Sequence, residues 1–234
     1  MYSFESRVRF SEVDQNGTLM LSRLVDYFQD CCIFHSEDVG LGMSNAENKN
    51  KVWMLLGWQI EIDRLPKYTE RIKTITWPYS FVRIKGGRNF LMEDAEGNVI
   101  AKADSQWVYM NLETGLPERI PGDMGDQFGV EAPMELSLDK KKIRIPEDCE
   151  KKEEIVVRRE HLDTNHHVNN GQYIVMAEDL LPEGMKIRKI KVEYRSQAKL
   201  GDVIVPKMKA LEEGYLVALC DRQDQPYAVL EFYE

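Results

Sequence analysis

The 234-residue chain has no apolar run approaching the roughly 18 residues of a membrane span, so no spanning helix is expected. Its opening, MYSFESRVRF, lacks the basic and apolar regions of a secretory signal and alternates like a strand. Cysteine is scarce and scattered. Cys31 and Cys32 are adjacent, Cys149 and Cys220 lie far apart, and no Cys-x-x-Cys pair or cysteine-histidine ladder suggests zinc or redox chemistry. Basic residues are outnumbered, 31 Lys and Arg against 40 Asp and Glu, and the net charge of −9 argues against a nucleic-acid partner. Gly-x-Ser-x-Gly is missing and Gly86-Gly87 has no phosphate-loop context, so neither a serine-hydrolase elbow nor nucleotide binding is supported. These absences leave a soluble cytoplasmic protein with reduced thiols.

What the chain does contain is a repeat. FSEVDQNGTLMLSRLVDYFQD, from Phe10, lies without a gap over REHLDTNHHVNNGQYIVMAED, from Arg159. Asp14 then meets Asp163, Asn16 meets Asn165, Leu24 meets Tyr173 and Asp30 meets Asp179. Further on, Gln59–Glu70 lies over Lys191–Asp202, pairing Glu61 with Glu193, Pro66 with Ala198 and Glu70 with Asp202. Last, Glu93–Ala103 lies over Cys220–Leu230 with a turn in the same place. Three weak pairings in one order indicate a duplication.

Each copy reads as a short strand (Ser3–Phe10; Lys152–Arg159), a polar Asp-x-Asn loop, a helix, and a run of antiparallel strands. The helices are expected at Ser22–Ser36, with Ser22 as N-cap, and at Gly171–Leu181. Strands follow at Met54–Ile62, Arg71–Pro78, Ile84–Glu93 and Ala101–Asn111, and again at Arg188–Tyr194, Val203–Leu211, Tyr215–Cys220 and Tyr227–Tyr233. The class is α+β, with a first unit over 1–121, a linker over 122–150 and a second unit over 151–234. The linker is set by Gly122–Lys142, which loses alternation and gathers Gly, Pro and charge.

Asp163, Asn165 and His167 stand at alternate positions just before the second helix. A helix N-terminus favours negative charge, including the oxyanion of a carbonyl under attack. An imidazole takes a proton near neutral pH, a carboxylate orients it or serves as base, and an amide holds a water or a carbonyl oxygen. Asp and Asn are also favoured turn formers and caps, so spacing alone leaves a structural role open. The first copy keeps Asp14 and Asn16 but has Thr18 opposite His167, which marks the second copy as the reactive one.

The stretch LDTNHHVNNGQYI, with VEYRSQ further on, resembles the acyl-acyl carrier protein thioesterases of bacteria and plant plastids. SEVDQNGTL and ADSQWVYMNLETGLPERIP extend the resemblance through the first half. It implies a double hotdog fold, two long helices each wrapped by an antiparallel sheet with the sheets joined, and catalytic positions at Asp163, Asn165 and His167. Where plant members carry Glu-Cys, this chain has Gln197-Ala198, so attack by water is expected, with Gln197 orienting it. No transit peptide is seen, consistent with a bacterial cytoplasmic enzyme.

The acyl tunnel is implied in the first unit, with Phe28, Trp53, Met54 and Trp58 as candidate substrate-binding residues; their default reading is core. The segment KIRKIK (Lys186–Lys191) reads either as a solvated strand face or as a docking surface for an acidic carrier protein. Arg158, Arg159, Lys186, Arg188, Lys189 and Lys199 are the docking candidates. The expected activity is hydrolysis of fatty acyl-acyl carrier protein, with no metal or organic cofactor and room for a homodimer. Rival readings are a hotdog dehydratase acting on hydroxyacyl thioesters and a non-catalytic acyl-thioester-binding regulator.

Overall fold

Two helix-on-sheet units, Met1–Ser137 and Leu138–Glu234, make up the computed structural model, which describes residues 1–42, 44–45, 50–139 and 141–234. In the first, alternation in YSFESR forms β1 (Tyr2–Arg7), which pairs antiparallel with β3 (Arg71–Val82). With β2 (Lys51–Ile62), β4 (Lys85–Asp94) and β5 (Val99–Asn111), the strand order is β1-β3-β4-β5-β2. The short β6 (Leu116–Pro117) pairs with β5.

The helix α1 (Leu21–Asp38) packs on β1 and β3 and buries Leu21, Leu24, Val25, Phe28, Cys31 and His35, one stripe at helical spacing. Ser22, expected as the N-cap, is a buried residue inside the helix; Met20 stands at the cap without a side-chain hydrogen bond. A bulge in β2 sets what the helix meets. Leu55 pairs with Trp107 and Gly57 with Gln106, so Leu56 is the extra residue. Side chains alternate along a strand, and a bulge shifts that alternation by one. Trp53, Leu55, Trp58, Ile60 and Ile62 therefore share the face of Ala101, Ala103, Ser105, Trp107 and Tyr109. The small side chains of Ala101 and Ala103 leave room there for Phe28, whose ring lies 6.2 Å from Trp58 and 5.4 Å from Phe90.

The stretch expected as a linker is built into the fold, apart from residue 140, which lies outside the described residues. It contains α2 (Met124–Phe128), which buries Met124 and Phe128. The chain beyond α2 runs along the sheet: Trp77 Nε1 donates to Ala132 O at 2.9 Å, Met134 N to Asn89 Oδ1 at 2.8 Å, and Ser137 Oγ to Glu61 at 2.6 Å. Ser137 closes the first unit, and the following residues belong to the second. There Ile143 is buried with Leu216, Ala218, Cys220 and Val229. The loss of strand alternation marks a strap with one buried side, which composition alone does not distinguish from a tether.

In the second unit, β7 (Glu150–Lys151) and β8 (Ile155–Val156) each pair with β10 (Val203–Leu211). With β9 (Lys189–Tyr194), β11 (Gly214–Cys220) and β12 (Pro226–Tyr233), the order is β9-β12-β11-β10-β7. The helix α3 (Asn170–Glu178) packs on β11 and β12, and the Asn169 side chain caps it by accepting from Gly171 N at 2.8 Å. It ends three residues before the expected Leu181, with Pro182 close behind. The strand expected over Lys152–Arg159 shortens to β8, and Arg159–His161 forms a 3-10 turn in which Arg158 N donates to His161 Nδ1.

The duplication is visible in hydrogen bonds. Val8 N donates to Glu70 O (3.0 Å) and Thr69 N to Val8 O (3.0 Å); their counterparts are Val157 N to Asp202 O (2.9 Å) and Gly201 N to Val157 O (3.0 Å). Asp94 Oδ1 accepts from Glu96 N and Asn98 N, as Asp221 Oδ1 does from Gln223 N and Gln225 N. No helix among the described residues is long and apolar enough to cross a membrane. If the strap is part of the fold, Ile143→Ala should cost about 2–5 kcal/mol in denaturant unfolding, against less than about 0.5 kcal/mol for a residue in a solvated tether.

Candidate active site

Asp163 shapes the loop that carries the polar triad. Its Oδ1 accepts from Asn165 N at 2.8 Å and from His167 N at 3.1 Å, while Asp163 N donates to His167 O at 2.8 Å. His166 takes the left-handed conformation at the tip, φ 62°, where the first copy has Gly17 at φ 68°. A short polar or aromatic-polar side chain tolerates that region better than a branched one. Leu162 bridges Val168 and His167 bridges Lys199, and Val168 N donates to Ala198 O at 2.9 Å. The loop of Asp163, Asn165 and His167 thus meets the β9–β10 loop of Gln197, directly before α3.

The first copy builds the same turn: Asp14 Oδ1 accepts from Asn16 N at 2.8 Å and Thr18 N at 2.9 Å. Its side chains, however, satisfy each other. Lys67 Nζ donates to Thr18 Oγ1 at 2.6 Å, and the Asn16 amide reaches Asp14 Oδ2 at 3.5 Å. In the second copy the half-buried His167 makes no side-chain hydrogen bond to a described residue, and its Nδ1 is buried without a partner. A buried polar atom left unpaired costs about 1–3 kcal/mol. The Asn165 and Gln197 side chains are exposed. Asp163 and His167 meet through the backbone, not through a carboxylate–imidazole hydrogen bond.

Tyr173 is a supporting residue that sequence reasoning passed over. It is 2% exposed, and its hydroxyl accepts from Ala198 N at 3.0 Å, tying α3 to the Gln197 loop. Burial pushes its phenol up to about 12. The signal was present as a polar-for-apolar exchange, Tyr173 against Leu24.

The basic candidates fall in two groups. Arg158, Arg159 and Lys199 are exposed around the loop. Lys186, Arg188 and Lys189 stand at the other end of β9, roughly 20 Å away at the usual strand rise. Lys191, read as part of a solvated face, is instead buried, with Nζ donating to Asp139 Oδ1 at 2.8 Å and to Lys141 O.

In the first unit a small cavity of about 20 Å³, room for about one water, is lined by Trp53, Phe81, Trp107, Phe128 and Arg88 among others. Of the four candidate substrate-binding residues, Trp53 lines it; Phe28 and Trp58 are fully buried in the core, and Met54 alternates to the other face of β2. Gly86 and Gly87 admit aromatic rings: a Cβ would meet Trp53 at 3.0 Å in one case and Tyr79 at 2.4 Å in the other. Arg88 is 5% exposed and its Nη1 lies 3.0 Å from His35 Nδ1 and 3.3 Å from Thr76 Oγ1. Its guanidinium carbon sits 5.1 Å from the centroid of the Phe128 ring.

Helix laid on antiparallel sheet, twice over, with an Asp-x-Asn-x-His turn opening the second helix, defines a tandem hotdog-type protein. Models of the acyl-ACP thioesterase N-terminal and C-terminal domains match residues 1–128 and 145–230, and the chain belongs to the acyl-ACP thioesterase family. It is 28% identical over 218 residues to the chloroplastic oleoyl-acyl carrier protein thioesterase 2 of Arabidopsis thaliana, covering 84% of this chain and 59% of that relative. The fold is that of an acyl-ACP thioesterase from Bacteroides thetaiotaomicron (24% identity, TM-score 0.89, 99% of this chain and 96% of that one). It is also that of the 12:0-ACP thioesterase from Umbellularia californica (18% identity, TM-score 0.84, 99% and 96%).

His35 gives this region a pH signature. Burial first, then the Arg88 and N-terminal charges, hold it down from 6.5 to about 4, with Asp38 opposing. Because the folded value lies below the unfolded one, the unfolded chain takes the proton first. The contribution to stability is complete above about pH 6.5 and is lost as pH falls toward 4. Urea unfolding across that window should show a shallower pH dependence in His35→Gln than in the wild type.

Proposed function

We propose that this protein hydrolyses a fatty acyl thioester of acyl carrier protein, releasing free fatty acid and holo carrier protein. The observation that carries this reading is the unpartnered His167 imidazole, with Nδ1 buried and unbonded, held at the start of α3 beside Asn165 and Asp163. Family membership supports it, as do the names of the relatives, which are acyl carrier protein thioesterases and hydrolases.

In this mechanism His167 takes a proton from water as the water oxygen bonds to the thioester carbonyl carbon. Asn165 and the helix N-terminus stabilise the oxyanion that forms. Collapse of the tetrahedral intermediate breaks the carbon–sulfur bond, and the His167 proton passes to the departing thiolate. Asp163 holds the His167 backbone in place and sets a negative charge near the imidazolium that develops. Gln197 orients the water. A thiol nucleophile is disfavoured: burial pushes Cys31 up to about 12 and raises Cys32, Cys149 and Cys220 as well, away from the reactive thiolate. Arg158, Arg159 and Lys199, exposed around the loop, form the docking surface for an acidic carrier.

Release of free thiol from an acyl carrier protein thioester tests the reaction. A changed acyl chain without thiol would indicate a dehydratase, and tight binding without change a regulator. Folded His167→Ala should lose at least about a hundredfold in kcat, and near-normal turnover would remove His167 from the mechanism.

Asp163 can be divided by two substitutions. Asp163→Asn keeps an oxygen for the two backbone N–H groups, so the turn should hold while kcat falls. Asp163→Ala should in addition lose about 1 kcal/mol of stability, the usual cost of a lost cap. Asp14→Ala should show that stability loss with turnover per folded molecule retained.

A further inference from the structure

The first copy shows what the fold needs at the positions that surround the turn. Leu19 N donates to Pro66 O at 2.9 Å as Val168 N does to Ala198 O, and Thr18 bridges Lys67 as His167 bridges Lys199. The two loops therefore correspond residue by residue, and three exchanges in them are linked. Leu24 stands opposite Tyr173 on the helix, Ile62 opposite Tyr194 on the strand, and Pro66 opposite Ala198 in the loop. Leu24, Ile62 and Pro66 are buried, with no hydroxyl and, in the proline, no N–H to satisfy. Ala198 brings a backbone N–H into a fully buried position, and the Tyr173 hydroxyl accepts from it at 3.0 Å. The Tyr194 hydroxyl donates to the carbonyl of Asn170, the first residue of α3, at 3.0 Å. The two rings lie 6.0 Å apart.

Leu24 and Ile62 meet the demands of packing in the first copy, so the two hydroxyls answer to something besides the core. What they fix is the segment of Gln197. Tyr194 lies ahead of it and Ala198 directly behind it, and both are tied to the opening turn of α3. Between them Arg195 N and Ser196 N donate to Tyr227 O at 2.8 and 3.2 Å. Ala198 is held from the other side as well, since its carbonyl accepts from Val168 N, next after His167. We infer that Tyr173 and Tyr194 are positioning residues, a clasp that sets the Gln197 segment against the turn of Asp163, Asn165 and His167. Neither phenol needs to touch substrate; both act through the backbone on either side of Gln197. The inference rests on the acyl thioester reading for the reaction that the positioned groups serve. A polar group loses effect when displaced by a fraction of an ångström, so a tether remote from the breaking bond still bears on rate.

Amide hydrogen exchange tests the clasp without substrate. The Ala198 N–H should be protected in the wild type and exchange at least about tenfold faster in Tyr173→Phe, with the amides of β11 unchanged. Unchanged exchange at Ala198 overturns the clasp, and an equal acceleration in β11 reduces it to a loss of overall stability and overturns it too. Steady-state hydrolysis of dodecanoyl carrier protein tests the positioning. Tyr173→Phe should lose at least about tenfold in kcat with KM within about twofold of the wild type. Tyr194→Phe should move kcat in the same direction, and it carries the test if Tyr173→Phe does not fold. Normal kcat in whichever of the two folds, or a loss confined to KM, overturns the proposal. In a Gln197→Ala background Tyr173→Phe should cost little more, because the group it positions is gone. A full additional loss there overturns the assignment to Gln197. If the wild type releases no thiol while Ala198 exchange responds to Tyr173→Phe, the hydrolytic reading falls and the clasp stands.

Discussion

The site depends on a carboxylate oxygen that accepts two backbone N–H groups. Asp163 Oδ1 gathers the amides of Asn165 and His167, and this closes a turn short enough to place three polar side chains just before one helix. Asp14 performs the same closure in the first copy. A charge-assisted pair of bonds to backbone is stronger than its neutral equivalents, and it is local, so both copies can keep it whatever their side chains later do. Divergence was then confined to what hangs from the turn. In one copy Lys67 and Thr18 satisfy each other; in the other an imidazole has no partner among the described residues. Structure and reactivity are separable here because the turn is held by one oxygen of the carboxylate.

A second constraint acts on the first sheet. Its helix-facing surface must fill a core and also leave a cavity, and it does so by grading side-chain size along β5. Ala101 and Ala103 make space for Phe28, Trp58 and Phe90, while Trp107 and Tyr109 stand farther along the strand, where the cavity begins. Polar groups on that surface are joined into a small network: Arg88 to His35 and Thr76, Ser105 Oγ to Arg88 O, and Trp107 Nε1 to Ser105 Oγ at 2.6 Å.

Much of this was legible from residues alone. The pairing of Pro66 with Ala198 and Glu70 with Asp202 came from faint similarity, yet those positions make matching backbone bonds. The strands were legible because alternation and turn residues are local signals. The strap was not: residues 122–139 pack through a few side chains, Met124 and Phe128 among them, at no fixed period. Likewise, Trp53 and Trp58 looked like one apolar block, and which of them faces open space depends on a bulge and on rings from other strands. Arg88 gave no signal, since an arginine within a strand normally reads as exposed. Its burial is a property of the assembled face. Tyr173 was visible as an exchange but not as a tether, because its partner, Ala198 N, lies on a distant loop.

The bulged Leu56 has a consequence for how this cavity can change. Strand positions carry a binary phase, inward or outward, and one supernumerary residue inverts that phase for everything on one side of it. Trp53 and Trp58 are in phase only because Leu56 is bulged out. An in-frame loss of that codon would leave Trp53 and Trp58 four residues apart, so a regular strand would keep both on the same face and lose only the bulge. The lining is thus encoded partly in parity, and the supernumerary residue is where a length change of one can be absorbed without turning the strand over.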